Sequence, residues 1–262
     1  MGFAGKVAVI TGAGRGLGRG YALHLAKLGA DIVVVDINLD SAREFGEELT
    51  APTVVDEIRS LGRRSLGIQA DVRIKREAGK IAQESLAQFG HIDILVNNAG
   101  GLLDHPENSY ASTMAEEDLK STLDRNLLGT IYCCQAVSLS MKERRSGKIV
   151  NIASFRGLRA AAKGWYASYG VAKAGIIHYT RYLASELGPY GINVNCISPG
   201  FVHTKRLAGR QEARKDQILK RIPLGRWAEP EDIAKVVEFF CSDLSDYVTG
   251  QCLSVCGGLV NY

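Results

Sequence analysis

The feature that most constrains this chain is its regular alternation of short apolar strands with helical or polar crossover segments. Before residue 101 the sequence predicts four strands, at Val7–Ile10, Asp31–Asp36, Ser65–Gln69 and Ile92–Asn97. Apolar runs of this length are typical of strands buried on both faces. Because such alternation requires crossover connections, it predicts an α/β fold with a parallel sheet covered by helices on both faces.

The second half of the chain continues the pattern and extends the prediction to a doubly wound parallel sheet of about seven strands. The later strands are Lys148–Ala153, Ile192–Ile197 and Gln251–Val255. Helices are predicted at Tyr21–Leu28, Pro52–Leu61, Lys75–Phe89, Met114–Lys142, around Tyr169 as far as Leu187, and in a basic segment His203–Arg221. The polar Asn38–Thr50 segment is interpreted as an enlarged surface connection. No linker or repeat interrupts the 262 residues, so residues 1–262 are predicted to form one domain.

The charge balance argues against an electrostatic partner. The chain has 32 basic and 28 acidic residues and a net charge of +4, so neither nucleic acid nor a membrane is expected as a partner. No charged-then-apolar leader precedes the first strand and no apolar run is long enough to span a membrane, so we expect a cytoplasmic protein. The six cysteines lack metal-ligand spacing, which favours small buried side chains over a metal site or disulfides.

A glycine-rich turn joins the first predicted strand to the first helix. It reads Thr11-Gly-Ala-Gly-Arg-Gly-Leu-Gly18. Glycines let the backbone bend tightly and approach a pyrophosphate, which is attracted by the free N–H groups at the start of the helix. Asp36 ends the second strand about twenty residues later, where a carboxylate can accept hydrogen bonds from both ribose hydroxyls. Together they favour a dinucleotide site, although Asp36 could instead be a helix N-cap or a solvated turn residue.

Tyr169 and Lys173 lie four residues apart near the start of a long predicted helix, so both side chains are on one face. An ammonium group beside a phenol stabilises the phenolate and lowers a pKa that starts at about 10. A phenolate of this kind can remove a proton near neutral pH. The same spacing also occurs by chance on surface helices, so the hypothesis depends on the rest of the chain.

The order of several motifs resembles the short-chain dehydrogenase/reductase family over nearly the whole length of the chain. The matching residues are the Thr11–Gly18 turn, Asp71, Asn97-Asn-Ala-Gly100, Asn126, Ser154, Tyr169 with Lys173, and Pro199-Gly200 followed by Thr204. The resemblance implies a single-domain Rossmann fold that assembles as a homotetramer or homodimer. It also implies hydride transfer between a nicotinamide cofactor and an alcohol or carbonyl of a small-molecule substrate.

Four catalytic residues follow from the resemblance. Tyr169 would be the acid/base, and Lys173 would lower its pKa and hold the nicotinamide ribose. Ser154 would hydrogen-bond the substrate oxygen, unless it only caps a turn at the end of its strand. Asn126 would position a water for a proton relay through Lys173, unless it is a satisfied helix asparagine.

Two residues give opposite indications for the choice of cofactor. Asp36 would repel the extra phosphate of NADP by about 1 to 4 kcal/mol, depending on the local dielectric, whereas Arg15 could attract it. No basic residue follows Asp36 at Ile37 or Asn38, so NAD is favoured. The predicted cofactor contacts are Gly12, Arg15, Gly16, Leu17, Gly18, Asp36, Asp71, Val72, Asn98, Ala99, Gly100, Tyr169, Lys173, Pro199, Gly200, Val202 and Thr204.

The sequence constrains the substrate less than the cofactor. Arg156 and Tyr166 lie close in sequence to Ser154 and Tyr169, so Arg156, Tyr166 and Ser154 are predicted to contact the substrate. Other nearby basic residues would suit an anionic or highly oxygenated substrate or could equally face water: Arg159, Lys163, His203, Lys205, Arg206 and Arg210. The predicted substrate is a secondary alcohol, such as a sugar, polyol, cyclic or anionic alcohol. Two alternatives stay open, an NADPH-dependent ketoreductase of the 3-oxoacyl type and a non-catalytic protein that senses NAD.

Overall fold

The computed structural model describes residues 2–102, 109–205 and 215–261. The strands within these ranges are β1 Val7–Thr11, β2 Asp31–Asp36, β3 Ser65–Gln69, β4 Ile94–Asn97, β5 Gly147–Ile152, β6 Ile192–Pro199 and β7 Cys252–Val255. They form one sheet in the order β3-β2-β1-β4-β5-β6-β7, and every neighbouring pair is parallel. The predicted doubly wound parallel sheet is therefore confirmed.

The strand order reverses between β1 and β4. β1 pairs with β2 on one side, with Val7 opposite Asp31, and with β4 on the other, with Ala8 opposite Ile94. In open α/β sheets a crevice forms outside the carboxyl ends of the strands at such a switch point, and ligands bind there. The glycine turn follows β1 and the Asn98–Gly101 loop follows β4, so both lie at this crevice.

Helices cover both faces of the sheet. They are α1 Gly16–Lys27, α2 Ser41–Glu44, α3 Val54–Ser60, α4 Lys75–Phe89, α5 Glu116–Leu123, α6 Gly129–Arg144, α7 Phe155–Leu158, α8 Ala167–Leu187, α9 Lys215–Leu219 and α10 Pro230–Cys241. Alternate residues of β1 enter different cores, because successive side chains of a strand point to opposite faces. Ile10 belongs to the same buried cluster as Leu25 of α1, while Val9 shares the opposite cluster with Ile81 of α4 and Met141 of α6. This double burial holds the two helix layers against the sheet.

The long helix predicted over Met114–Lys142 is interrupted. A π-helical turn at Asp124–Leu128 separates α5 from α6. Within this turn the side chain of Asn126 donates to the carbonyl of Thr122 and exchanges hydrogen bonds with Gly101. These bonds anchor the turn to the loop after β4, a tertiary contact that the periodicity of apolar residues does not reveal.

Helix α10 is absent from the predictions above, although its start signals are present in the sequence. Pro230 lies in its first turn, and the side chains of Glu229 and Asp232 each accept a hydrogen bond from the other's backbone N–H. The predicted basic helix His203–Arg221 is helical at Lys215–Leu219, and residues 206–214 of that prediction lie outside the described ranges.

The cysteines fit the environment predicted for them. Five of the six are buried and Cys252 is half-buried. Among the described residues, no helix combines the length and the apolar composition needed to cross a membrane.

Candidate active site

The glycine turn between β1 and α1 packs too closely for side chains at Gly12, Gly14 and Gly18. A Cβ atom on Gly18 would lie 2.1 Å from the carbonyl oxygen of Gly12, and one on Gly12 would lie 2.8 Å from the Cα of Ala99. Gly12 and Gly16 also have φ angles of 65° and 58°, in the left-handed region that favours glycine. The turn therefore has no Cβ atoms at its glycines, and a backbone of this kind can approach a phosphate group closely.

Side-chain hydrogen bonds join the glycine turn to the loop after β4. The hydroxyl of Thr11 accepts from the N–H groups of Asn98 and Ala99, at 3.1 and 3.0 Å. The amide of Asn98 donates to the carbonyls of Thr11 and Gly12, at 3.1 and 3.0 Å. The structure thus brings together two groups of predicted cofactor contacts that are about 85 residues apart in sequence.

Asp36 lies at the end of β2, beside the glycine turn. Its Oδ2 accepts from the N–H of Gly14 at 2.9 Å, and its Oδ1 accepts from the N–H of Asn38 at 3.1 Å. Burial raises the pKa of this carboxyl, and those backbone bonds oppose the rise. The helix-cap alternative does not hold, because α2 begins after Asp40. The carboxylate is held in a fixed orientation and retains lone pairs for ribose hydroxyls.

Arg15 turns towards the Asn38–Thr50 segment. Its guanidinium carbon lies 3.7 Å from the centre of the Phe45 ring, a short cation–π distance. The Asn38–Thr50 segment, to which the sequence assigns no function, therefore packs on the glycine turn through Phe45.

Asp71 and Val72 follow β3. The guanidinium of Arg73 donates to both oxygens of Asp71, at 2.6 to 2.9 Å, and this contact lowers the pKa of the carboxyl. Val72 is buried against Gly129, where an added Cβ would lie 2.7 Å from the valine side chain. The Asp71 side chain is thus paired with Arg73 and its backbone N–H donates to Glu77 of α4, while Val72 faces the start of α6.

Ser154 follows β5 and caps α7. Its hydroxyl accepts from the N–H of Arg156 at 3.2 Å, and the residue is buried. The turn-capping alternative therefore describes one contact of this side chain. The hydroxyl hydrogen remains available as a donor, because accepting a bond does not use it.

Lys173 is fully enclosed beneath Tyr169 on α8. Its side-chain nitrogen lies 5.6 Å from the centre of the Tyr169 ring and donates to the carbonyl of Ile152 at 2.8 Å. Ile152 ends β5, so this bond ties the ammonium to the strand that carries Ser154. Only 3% of Lys173 is exposed, and burial lowers its pKa from 10.5 to about 8. Keeping the group charged at pH 7 therefore costs about 3 kcal/mol.

Asn126 is buried within the π-helical turn. Its amide nitrogen donates to the carbonyls of Thr122 and Gly101, at 3.0 and 3.3 Å, and its Oδ1 accepts from the N–H of Gly101 at 2.8 Å. These contacts match the satisfied-asparagine alternative and show that the side chain holds the loop after β4 in place.

The side chains of Arg156 and Tyr166, both predicted to contact the substrate, lie close to each other. The guanidinium carbon of Arg156 is 4.6 Å from the ring centre of Phe155 and 5.8 Å from that of Tyr166. Burial lowers the pKa of Arg156. Tyr166 has a φ of 61°, which is uncommon for a residue with a side chain, and its N–H donates to the hydroxyl of Ser109 at 3.0 Å. No acidic residue in the described ranges forms an ion pair with Arg156.

The other predicted basic residues are more scattered. Arg159, Lys163 and Lys205 are exposed, and His203 pairs with Glu229 at 3.0 Å. Arg206 and Arg210 lie outside the described residues.

The last predicted cofactor contacts follow β6. The N–H of Gly200 donates to the carbonyl of Val255 at 2.9 Å, and a Cβ there would lie 2.8 Å from the Cα of Cys256. Val202 is buried and forms an isolated bridge with Ala228, while Thr204 is half-buried. Pro199 is the last residue of β6, so this stretch leaves the sheet at its carboxyl edge.

A buried polar ladder below the site is missing from the sequence predictions. Asn97 of β4 donates to Asn151 of β5 at 2.9 Å, and Asn151 donates to Thr180 of α8 at 3.0 Å. These hydrogen bonds fix α8 against β4 and β5. The signal of the ladder is visible in the sequence as two asparagines within otherwise apolar strands, because buried amides need partners.

Comparison with known proteins places the chain among nicotinamide-dependent enzymes. Residues 12–260 match the family model described as enoyl-(acyl carrier protein) reductase. The chain is 50% identical over 259 residues to the cyclohexanol dehydrogenase of Rhodococcus sp. (strain TK6), covering 97% of this chain and 96% of that one. It is 39% identical over 254 residues to a 3-oxoacyl-(acyl-carrier-protein) reductase of Staphylococcus epidermidis, covering 97% and 98%.

A solved structure supports the same relationship. The chain resembles 7α-hydroxysteroid dehydrogenase complexed with NADH and 7-oxo glycochenodeoxycholic acid, with a TM-score of 0.87 and 33% identity over 98% of this chain and 95% of that one. The chain therefore belongs to the short-chain dehydrogenase/reductase family.

Proposed function

We propose that this protein is an NAD-dependent dehydrogenase that oxidises a secondary alcohol to a ketone and catalyses the reverse reduction. One observation carries the proposal: a lysine is buried directly beneath a tyrosine, on a helix tied to the strand that leads to Ser154. A cation held there against a desolvation cost of about 3 kcal/mol has little value for stability, but it stabilises a phenolate.

The chain's own residues account for the proton chemistry. Tyr169 as phenolate would take the hydroxyl proton of the alcohol, and Lys173 would stabilise the phenolate before that transfer. Ser154 would donate a hydrogen bond to the substrate oxygen and stabilise its developing charge. Asn126 would act indirectly, because its hydrogen bonds with Gly101 hold the loop after β4 in place. When bound, a nicotinamide cofactor accepts the hydride from the alcohol carbon.

The residues present fit such a cofactor. The glycine turn from Gly12 to Gly18 would hold the diphosphate, and Asp36 would accept hydrogen bonds from the hydroxyls of the adenosine ribose. The other predicted contacts would then surround the adenine and the nicotinamide half: Asp71, Val72, Asn98, Ala99, Gly100, Pro199, Gly200, Val202 and Thr204. Two properties of Asp36 favour NAD. Its free lone pairs can accept hydrogen bonds from the ribose hydroxyls, and its negative charge would repel the extra phosphate of NADP.

A second function is favoured by the Staphylococcus epidermidis relative. Its name describes reduction of a 3-oxoacyl group on a carrier protein. A titration with NADH and NADPH, using a 3-oxoacyl thioester as substrate, would separate this NADPH-linked ketoreductase from the NAD-linked dehydrogenase. A protein that only senses NAD would bind NADH and turn over neither.

The most direct test is a screen for NADH formation at 340 nm. The panel should hold neutral cyclic alcohols, for which the Rhodococcus relative suggests cyclohexanol, together with sugars, polyols and carboxylated secondary alcohols. We expect reduction of NAD by at least one class, and faster turnover with NAD than with NADP. If the whole panel stays inactive while a 3-oxoacyl thioester is reduced with NADPH, the second function is correct.

Arg156 offers a prediction about the substrate. Replacing it as Arg156→Met keeps much of the side-chain volume and removes the fork of donors. For a substrate with a carboxylate, sulfonate or phosphate, we expect a drop in kcat/KM of about 10- to 150-fold, the loss of a charge-assisted contact. A neutral analogue of the same shape should lose much less. The matched control is Arg159→Met, because Arg159 is exposed; equal losses for charged and neutral substrates would mean that Arg156 is structural.

We also propose a cytoplasmic homotetramer or homodimer that acts on a small molecule. Three apolar side chains on α6 and α8 support the assembly because they are exposed: Leu139, Val171 and Tyr182. Sedimentation velocity would test it, and a monomer at micromolar concentration would contradict it.

A further inference from the structure

The Asn38–Thr50 segment is attached to α1 and α3 by a buried ionic network. The backbone N–H and the hydroxyl of Thr50 both donate to Oε1 of Glu57 at 2.8 Å. Glu57 is 2% exposed and lies on α3. The end of the segment is therefore fixed, and the segment has a defined position over the glycine turn.

Arg19 of α1 is the cation of this network, and Glu57 is its main partner. Its Nε and Nη2 donate to the two oxygens of Glu57 at 2.8 and 2.7 Å. The contact from Nη1 to Oε2 of Glu47 is longer, at 3.4 Å. Two carboxylates thus share one guanidinium, so Glu47 is not fully neutralised.

The carboxylate of Glu47 lies on the first N–H of α1. Its Oε1 and Oε2 accept from the N–H of Gly16 at 2.9 and 3.1 Å. Gly16 is the first residue of a 12-residue helix, whose dipole and free N–H groups favour a negative charge at this end. The helix end that would attract a diphosphate is therefore already next to a carboxylate of the chain.

We propose that Glu47 is a further residue of the cofactor site, which competes with the cofactor diphosphate for the start of α1 and so weakens cofactor binding. The inference rests on the proposed function, because it requires the diphosphate to lie at the Gly12–Gly18 turn. Either the two anions lie side by side and repel each other, or Glu47 leaves Gly16 when the cofactor binds. Both cases cost binding energy, and both speed release of the reduced cofactor, a step that limits turnover in many enzymes.

This role predicts opposite effects on stability and affinity. Glu47 stabilises the cofactor-free protein, because it caps α1 and pairs with Arg19. It opposes the cofactor, because it brings a negative charge close to two phosphates. A residue that only held the turn in shape would favour both folding and binding.

The test is the variant Glu47→Gln, which keeps an oxygen for the N–H of Gly16 and removes the charge. We expect the Tm of the cofactor-free protein to fall by about 2 °C or more. The Kd for NADH, measured by fluorescence, should tighten by at least about fivefold. ADP should show the same gain by calorimetry, whereas adenosine, which lacks phosphates, should not. The control is Glu48→Gln, because Glu48 is exposed and contributes only its carbonyl to Arg19.

The outcomes separate the inference from the proposed function. If wild-type protein binds NADH and Glu47→Gln binds it equally or more weakly, Glu47 does not compete with the diphosphate. An equal gain for adenosine would place the effect away from the phosphates and would also overturn the inference. If neither protein binds NADH, the proposed function fails, and the inference fails with it.

Discussion

Turnover by a Tyr169→Phe variant should fall by about 10²–10⁴-fold, the range expected when a general acid–base group is lost. The substitution keeps the ring that packs over Lys173 and removes only the oxygen that exchanges the proton. Binding of NADH should persist, because the Kd depends on the glycine turn and Asp36 more than on one phenol. The measurement compares kcat for alcohol oxidation between the wild-type protein and Tyr169→Phe, and the Kd for NADH is measured for both.

A matched control lies at the opposite edge of the sheet. Tyr247 is fully exposed and follows Asp246, which contacts Asn193 at the start of β6, so Tyr247→Phe removes a phenol of the same kind away from the crevice and should keep full activity. Tyr166→Phe tests whether the neighbouring phenol could act instead. A Tyr169→Phe enzyme that kept a tenth of the activity would rule out Tyr169 as the acid/base.

Replacing Asp36 by Ala should change the preference between NADP and NAD, measured as a ratio of kcat/KM values, by at least about tenfold. NAD loses hydrogen bonds to its ribose, and NADP no longer meets a negative charge. Arg15 would then be free to pair with the added phosphate if it leaves the ring of Phe45. Wild-type protein that used NADP faster than NAD at equal low concentrations would contradict this account of Asp36.

Asp36→Asn removes the charge and keeps one oxygen, which can still accept from the N–H of Gly14 or from that of Asn38, but not from both. It should relieve the repulsion of NADP while weakening NAD binding less than Asp36→Ala does.

The charge of Asp36 also predicts a pH effect on the preference for NAD. Since burial raises the pKa of Asp36, its charge is lost at a higher pH than for an exposed aspartate. The preference for NAD should therefore weaken on acidification, and a preference that did not change with pH would argue against the carboxylate.

The buried strands and helices could be predicted because their signals are local. The bounds of Asp31–Asp36, Ser65–Gln69 and Lys75–Phe89 agree with the structure. In β2 an apolar run is bounded by an aspartate at each end, and α4 has a clear apolar stripe. The glycine turn could also be predicted. The close packing at Gly12 and Gly18 requires glycine, so the glycines in the sequence are a direct signal of the turn.

Tertiary contacts explain what sequence could not predict. Nothing local indicates that Glu47 reaches Gly16, because that contact depends on how Arg19 and Glu57 fix a polar segment. The hydrogen bonds of Asn126 with Gly101 similarly depend on a loop 25 residues away in sequence. The left-handed backbone of Tyr166 is held by Ser109, a residue that no motif indicates.

The central claim is that this chain transfers a hydride between a secondary alcohol and NAD. The most direct measurement uses cyclohexanol, or the best alcohol of the panel, with deuterium on the carbinol carbon. Mass spectrometry of the cofactor then reports where the deuterium goes. We predict one deuterium in the reduced cofactor for each ketone formed, and almost no product with Tyr169→Phe. Tight binding of NADH, with no transfer from any alcohol of the panel and no reduction of the corresponding ketones, would contradict the account.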